Sequence, residues 1–176
     1  AEVALTEVVA RALLGHLPEE ALEAQLAGQL SAKEKPAGGV GLRVYVSGCA
    51  LRRISAGALV RANGGSIRNA AGEHQFGVAR PAGCEVVHKT IQTWLHADLE
   101  QAALALDSEN AFLTMPRKVM LGEVRSRCDA LAATAEQWYG RRTRHLWRDE
   151  SGRPHWIEAS EGVDPGCGLG AALYAI

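Results

Sequence analysis

The sequence has few aromatic residues, no paired cysteine motif and no long apolar run. Aromatic residues make up 5% of its 176 residues and hydrophobic residues 47%, so Ala, Leu and Val must supply most of a core. The formal net charge is −1, so composition alone does not indicate a nucleic-acid-binding protein, although a balanced total can hide a basic face. The length suits one globular domain or slightly more.

The four cysteines lie far apart, at positions 49, 84, 128 and 167. None forms a CxxC pair and no nearby histidine completes a zinc pattern, so separate, reduced thiols are expected. This favours an intracellular protein. No apolar run approaches the roughly 18 to 20 residues that a membrane span needs, and no signal peptide is visible, so no membrane partner is expected.

Both ends of the sequence look like cuts within a longer protein. The first residue is Ala1 rather than Met, and residues 169–176 form an apolar run without a polar cap. We therefore expect the chain to be a fragment.

Apolar residues at helical spacing predict several helices. These are expected over 2–15, 18–28, 50–62, after residue 83, over 116–127 and over 129–139. The residues expected to face inward are Leu5, Val8, Val9, Ala12 and Leu13 in the first helix, Leu22 and Leu26 in the second, Leu51, Ile54, Ala58 and Leu59 in the third, and Val87, Ile91, Trp94 and Leu95 in the fourth.

Four segments are expected to be strands, namely 42–46, 103–106, 142–148 and 155–159. Turn-forming residues lie between elements at 31–39, 63–65, 75–83 and 149–154. Helices and strands mixed in this way, without a regular β-α-β alternation, indicate an α+β fold.

Asp107 is the first candidate for chemistry. The run Ala103–Leu106 predicts a short strand that is buried on both faces and ends at Asp107. A carboxylate in that place is held rigidly but faces solvent, which suits a ligand of Mg²⁺. The alternative is a turn residue that happens to follow a strand.

The segment that begins at Asp107 resembles the first palm motif of reverse transcriptases. That motif has an Asp followed four and five residues later by Ala-Phe or Ala-Tyr, as in Asp-Ser-Glu-Asn-Ala-Phe at 107–112. The continuation Leu-Thr-Met-Pro-Arg at 113–117 is similar to the version in non-LTR retrotransposons, although Leu113 replaces an Asn.

Four other segments resemble parts of the same enzymes, in the same order. Residues 33–43 are similar to the fingers hairpin, and Gly-Cys-Ala-Leu-Arg-Arg-Ile at 48–54 to the stretch that follows it. His-Gln-Phe-Gly-Val at 74–78, with Gly83 and Glu85, resembles the stretch before the first palm motif. Residues 161–170 resemble the second palm motif.

The resemblance implies a right-hand polymerase, with a fingers-like region at 1–102 and a partial palm at 103–176 that carries the first and second motifs. It implies RNA-directed DNA synthesis, in which the 3′-hydroxyl of a primer attacks the α-phosphate of an incoming nucleotide. Two Mg²⁺ ions would stabilise the attacking and leaving oxygens. The partners would be an RNA template, a DNA primer and a dNTP, together with the rest of the palm and the thumb from the parent chain.

The resemblance also implies roles for single residues. Asp107 would be catalytic and bridge the two Mg²⁺ ions, with the backbone carbonyl of Ser108 as a further ligand. The residues implied at the nucleotide are Lys35, Arg43, Phe112 and Gly166. For Lys35 the alternative is a solvated hairpin lysine, and Phe112 is equally a core aromatic residue.

A second group of residues is expected to contact nucleic acid. The residues implied by the resemblance are Arg52, Arg53 and Gln75, and because the two arginines are adjacent on a helix they point in different directions. On a strand, Arg142, Arg144 and Arg148 share one face, which predicts salt-sensitive phosphate contacts. An ordinary solvated strand face is the alternative.

The sequence departs from the family in three respects: one Gln, several prolines and a whole motif. Pro165 stands where the family has Gln, and it offers neither an amide group nor a backbone N–H. Val44, Gly168 and Ala171 replace customary prolines. The third palm motif, an aromatic residue followed by x-Asp-Asp, is missing, and one carboxylate cannot hold two Mg²⁺ ions. We therefore expect the isolated chain to be inactive as a polymerase.

Two alternatives follow from these departures. The chain is a decayed or co-opted polymerase-like domain that only binds nucleic acid, or it is an unrelated α+β interaction domain with chance motif matches. The first predicts binding that needs the arginines at 141–148 but not Asp107.

Overall fold

The computed structural model describes residues 2–35, 41–98 and 100–176. Its four strands form one mixed sheet in the order β2-β1-β3-β4, with β1 at Gly28–Glu34, β2 at Leu42–Ser47, β3 at Thr143–Arg148 and β4 at Pro154–Ala159. β1 and β2 are antiparallel, as are β3 and β4, while β1 and β3 pair in parallel over a short stretch, Gly28 with His145 and Gln29 with Leu146. This short pairing joins two hairpins into one sheet.

Helices make up most of the regular structure. In chain order they are α1 Glu2–Leu13, α2 Glu19–Leu26, α3 Ala50–Ala62, α4 Gly64–Ala71, α5 Gly83–Ala97, α6 Ala111–Thr114, α7 Arg117–Arg127, α8 Asp129–Tyr139 and α9 Gly170–Ala175. Helices therefore occur together with a mixed sheet, which agrees with the expected α+β class. No helix in the described ranges is both long and apolar enough to cross a membrane.

The core lies where α7 and α8 pack against each other, with α9 packed against α7 and α4. Its largest fully buried side chains include Trp138 and Tyr139 of α8 and Ile67 of α4. Residues on both sides of position 102 contribute to it, for example Leu22 and Leu26 of α2 beside Met120 of α7. The sheet likewise contains strands from both sides of position 102, with β1 and β2 before it and β3 and β4 after it. The fingers-like region and the partial palm expected from the resemblance therefore share one core and one sheet.

Most predicted elements are present, and the differences have physical causes. The helices predicted around 2–15, 18–28, 50–62, 116–127 and 129–139 are found, as are the strands at 42–46, 142–148 and 155–159. Four elements were not predicted, namely β1, α4, α6 and α9. β1 at residues 28–34 pairs with β2, so a hairpin is present around the segment 33–43 where the resemblance implied one, and the two glycines after Asn63 begin α4 rather than a longer break. The predicted turn at 36–39 lies outside the described residues.

Several predicted inward faces are wrong. In α3 the buried side chains are Arg52, Ser55 and Ala56, while Ile54 is 53% exposed. In α5 the predicted apolar stripe stays at the surface, with Ile91 and Trp94 exposed. Periodicity locates an apolar face, but burial also needs a neighbouring element, and α5 makes no extensive contact with another described element.

Candidate functional site

Three segments that are distant in the sequence line one surface cleft of about 570 Å³. We call it the Asp107 cleft. The first wall is formed by Lys35 and residues 42–45 of the β1–β2 hairpin, the second by residues 107–113, and the third by Pro165. Lys35, Arg43, Asp107, Ser108 and Phe112, which the resemblance assigns to the nucleotide or the metal, therefore all border the same space.

The prediction that Asp107 ends a buried strand is wrong. Residues 101–108 have no regular secondary structure, and Leu104 and Leu106 are 84% and 86% exposed. None of the described strands pairs with this segment. A short apolar run needs a neighbouring strand for its backbone hydrogen bonds and a layer to cover its side chains, and both are lacking here. Asp107 is thus an exposed residue of an irregular segment that borders the cleft.

Backbone hydrogen bonds tie the three walls together. The N–H of Val163 donates to the carbonyl of Phe112 (2.7 Å), and the N–H of Gly162 donates to the carbonyl of Met115 (2.8 Å). The N–H of Val46 in β2 donates to the carbonyl of Pro165 (2.9 Å). The segment at 162–165 is therefore fastened to the Phe112 segment on one side and to the hairpin on the other.

Gly162 is required at this junction. Its φ of +65° lies in the left-handed region, and an added Cβ would stand 2.4 Å from the carbonyl oxygens of Phe112 and Leu113. Only glycine combines that backbone conformation with so close an approach. The glycine of the second palm-like motif thus has a local structural role.

Phe112 lies at the cleft with its ring half in solvent. It is 40% exposed, and its centroid is 5.1 Å from that of Tyr174 in α9 at a tilted angle. The ring is therefore backed by a second aromatic ring, although it is not a core residue. An apolar face beside Asp107 and Ser108 is available to a ligand.

A buried ionic network that the sequence patterns did not predict is centred on Asp164, the residue before Pro165. Asp164 is 5% exposed, and its two carboxylate oxygens accept separate hydrogen bonds from Arg52 Nη1 (2.7 Å) and His145 Nε2 (3.1 Å). Burial by itself raises the pKa of Asp164, but the hydrogen bond from His145 and the charge of Arg52 outweigh it and hold that pKa below its ordinary value. Asp164 is thus held as a carboxylate.

Aromatic residues of α8 enclose the guanidinium of this network. The Arg52 guanidinium carbon lies 4.9 Å from the Trp138 ring centroid and 5.4 Å from that of Tyr139. Arg52 also donates to the Tyr139 hydroxyl (3.1 Å), and burial raises the pKa of that phenol. The expectation that Arg52 contacts nucleic acid is corrected, because its donors serve Asp164 and Tyr139 in the interior.

One signal in the sequence could have located part of this network. Within β3, the buried residues Thr143 and His145 alternate with the exposed Arg144, as the two-residue period of a strand requires. His145 therefore lies on the buried face of β3, opposite the exposed face that carries Arg144. No pattern in the sequence connects it to Asp164 or Arg52, which come from other elements.

Arg117 is a second buried guanidinium, at the start of α7. It donates to the carbonyls of Gly162 (2.8 Å), Arg141 (2.8 Å) and Ala159 (3.1 Å), and its Nη2 lies 3.3 Å from the Thr143 hydroxyl. Burial lowers its pKa, and the charge of Asp164 offsets this only in part. Arg117 thus joins the second palm-like motif to the beginning of β3 and the end of β4.

Three other predicted residues lie away from the Asp107 cleft. Arg53 is exposed on α3 and borders a shallow surface groove with Arg61. The Gln75 side chain accepts a hydrogen bond from the N–H of Gly77 (2.7 Å) and so stabilises its own turn. Gly166, with φ of +107°, lies against the carbonyl of Val46 and borders a small cavity beside Arg52 rather than the cleft.

Arg142, just before β3, and Arg144 and Arg148 of β3 are exposed, but carboxylates accompany the first two. Arg144 lies 3.9 Å from Glu23, and its guanidinium is 5.5 Å from the Trp156 ring. Arg142 lies 3.4 Å from Glu158. Arg148 donates to the carbonyl of Gly152 within the hairpin turn. The face is therefore mixed in charge and not a purely basic surface.

Comparison with known proteins identified no relative. No family model, no curated protein and no solved structure matches the chain.

The groups that could ligate a metal ion at the Asp107 cleft do not fit a two-magnesium centre. Asp107 and Glu109 are the carboxylates in its lining. Across residues 2–35, 41–98 and 100–176, no group of three or more His, Cys, Asp or Glu residues is placed to hold a metal ion. Two adjacent Mg²⁺ ions need more oxygen ligands and more negative charge than this lining provides. We therefore derive no catalytic step through metal ions from these residues.

Proposed function

We propose that the chain is the fingers and partial palm of an RNA-directed DNA polymerase of the non-LTR type, and that the Asp107 cleft receives the incoming nucleotide. One observation carries the proposal: Lys35 and Arg43 of segment 33–43, Asp107, Ser108 and Phe112 of segment 107–112, and Pro165 of segment 161–170 border a single space. Chance motif matches have no reason to converge in three dimensions.

Two cations, Lys35 and Arg43, support a triphosphate as the ligand, although two carboxylates, Asp107 and Glu109, share the lining with them. Lys35 and Arg43 form no ion pair with any described carboxylate, so both are free to bind phosphate oxygens. Arg offers a planar fork and Lys a compact charge, and both suit phosphate. The Phe112 ring provides a flat apolar surface for a sugar. The volume of about 570 Å³ lies in the usual range for small-molecule sites.

A binding measurement tests this proposal without requiring catalysis. Titration of the protein with a fluorescent dNTP should show saturable binding that weakens by about 10- to 100-fold in each of the variants Lys35→Gln and Arg43→Gln, as expected for a lost charge-assisted hydrogen bond. Arg153→Gln is the matched control, because it removes one positive charge from a hairpin turn outside the cleft. Equal affinities in all four proteins would contradict the proposal.

The second candidate function is nucleic-acid binding without polymerisation. The small number of metal-ligating groups at the cleft favours this candidate, because its described carboxylates do not suffice for two Mg²⁺ ions. This candidate predicts that the purified chain binds a primer–template but does not extend it, and that Asp107→Asn leaves the binding unchanged. Primer extension that depends on Asp107 would exclude this candidate in favour of an active polymerase.

A further inference from the structure

A second cleft, between α7, the end of α8 and the entry to β3, carries an excess of positive charge. It measures about 410 Å³ and shares no lining residue with the Asp107 cleft. Its lining side chains include five cations and one carboxylate, namely Arg117, Lys118, Arg125, Arg141, Arg142 and Glu136. We call it the α7 cleft. In a chain with a net charge of −1, this is a local concentration of one sign.

Neighbouring carboxylates neutralise only part of this charge. Arg125 forms a two-pronged ion pair with Glu136, through Nη2 at 2.8 Å and Nε at 3.2 Å. Outside the lining, Glu19 pairs with Arg141, and Glu158 lies 3.4 Å from Arg142. Three of the five cations thus have a carboxylate at ion-pair distance, whereas Arg117 and Lys118 have none among the described residues, and Asp164 and Glu161 act on Arg117 only from farther away.

Two of the cations have charge to spare for a ligand. Lys118 is exposed and forms no ion pair within the described part of the chain. Arg117 is buried and forms four hydrogen bonds to neutral acceptors, with no carboxylate at ion-pair distance among the described residues. Because the charge of Asp164 offsets the burial of Arg117 only in part, an anion that binds nearby stabilises this cation further.

The spacing of the cations favours a chain of phosphates over a single phosphate. Lys118 and Arg125 are seven residues apart on α7, which places them about 10 Å apart along the helix axis. Arg142 approaches the same space from the entry to β3, and Ser160 adds a hydroxyl that can bond to a phosphate oxygen. Cations spread along a cleft in this way suit consecutive phosphates of a strand, each of which can contact a different side chain.

We propose that the α7 cleft binds the phosphate backbone of a single nucleic-acid strand, independently of its base sequence. The choice of a nucleic acid as the strand rests on the function proposed for the Asp107 cleft. The binding is electrostatic, with Lys118 and Arg142 as direct phosphate contacts and Glu136 as a built-in competitor for Arg125. It therefore depends strongly on salt.

The test is fluorescence anisotropy with a labelled single-stranded 20-mer of thymidine, measured over a range of salt concentrations. The double variant Lys118→Gln/Arg142→Gln should weaken binding about 10-fold or more at low salt and reduce the slope of log K against log salt by about 1.4, or about 0.7 for each lost contact. Arg68→Gln/Arg153→Gln is the control, since it removes the same charge from surface positions outside the cleft. An equal loss in both proteins would overturn the proposal.

A gain-of-affinity variant guards against misfolding as an explanation. Glu136→Gln removes the only lining carboxylate and frees Arg125, so it should tighten binding about threefold. Unchanged or weaker binding by this variant counts against the proposal.

A parallel titration with inorganic phosphate identifies the source of the phosphate. If phosphate saturates the wild type, but not the double variant, while oligonucleotide affinity is the same in both, the nucleic-acid assignment is wrong.

The proposal for the α7 cleft and the proposal for the Asp107 cleft can be refuted independently of each other. The Lys118→Gln/Arg142→Gln protein should keep its affinity for dNTP, because neither residue lines the Asp107 cleft. Loss of oligonucleotide binding alone supports the α7 cleft. Absence of dNTP binding with oligonucleotide binding intact refutes the nucleotide site alone.

Discussion

Replacement of the buried Asp164 by Asn should destabilise the protein more than the removal of any single charge at its surface. The substitution keeps the shape of the side chain but removes its charge, and it leaves Arg52 in the interior without a counter-ion at 2.7 Å. Breaking a buried ion pair by removal of one partner costs about 3–5 kcal/mol. Because a domain of this size has about 5–15 kcal/mol of stability, the substitution removes at least about a fifth of the free energy of unfolding.

Urea denaturation followed by tryptophan fluorescence suits this measurement, since Trp138 is fully buried against the Arg52 guanidinium. The transition of Asp164→Asn should move to lower urea with an unchanged slope. Asp149→Asn is a matched control, because Asp149 bonds to His155 (2.8 Å) as Asp164 bonds to His145, but does so in an exposed turn. Its effect should be much smaller. A stability of Asp164→Asn within about 1 kcal/mol of the wild type would refute the view that this network holds the cleft together.

Further predictions concern pH and two glycines. Because folding lowers the pKa of Asp164 from its ordinary value of 3.8, its carboxylate stabilises the fold above that pH, and this contribution is lost as the pH falls through the lower folded pKa; urea midpoints measured from pH 5 to pH 2.5 should fall more steeply for the wild type than for Asp164→Asn. Gly83→Ala should destabilise the protein by about 1–3 kcal/mol or more, because the new Cβ would stand 1.7 Å from the Phe76 carbonyl oxygen, and an unchanged melting temperature would contradict this. Gly57→Ala is its counterpart in the middle of α3, where the Cβ meets nothing within 4 Å, and it should raise stability by up to about 1 kcal/mol in the same melting experiment.

Elements whose signals are local could be predicted from the sequence. The strands at 142–148 and 155–159 follow from their composition and from the turn between them, and the turn is fastened by Asp149, whose side chain accepts from the backbone N–H groups of Ser151 and Arg153. The helices at 117–127 and 129–139 follow from apolar spacing. In each case a few neighbouring residues contain the whole signal.

Features that depend on a distant partner could not be predicted in this way. The run at 103–106 has the composition of a buried strand, but no described strand pairs with it, so it remains irregular. The reverse applies to β1, whose sequence Gly-Gln-Leu-Ser-Ala-Lys-Glu has weak strand character but which forms six pairs with β2. Arg52 shows the same principle for a side chain, since only the fold brings it to Asp164.

The buried network and the Asp107 cleft belong to one mechanical unit. Asp164 is anchored through Arg52 to α3 and through His145 to β3, and the next residue, Pro165, borders the cleft and accepts a hydrogen bond from Val46 of β2. The ion pair therefore fixes the position of Pro165 relative to the hairpin that carries Lys35 and Arg43. A network of this kind need not add net stability, because desolvation of the charges opposes their attraction, but it specifies one arrangement of the walls. The cleft thus depends on residues that do not line it.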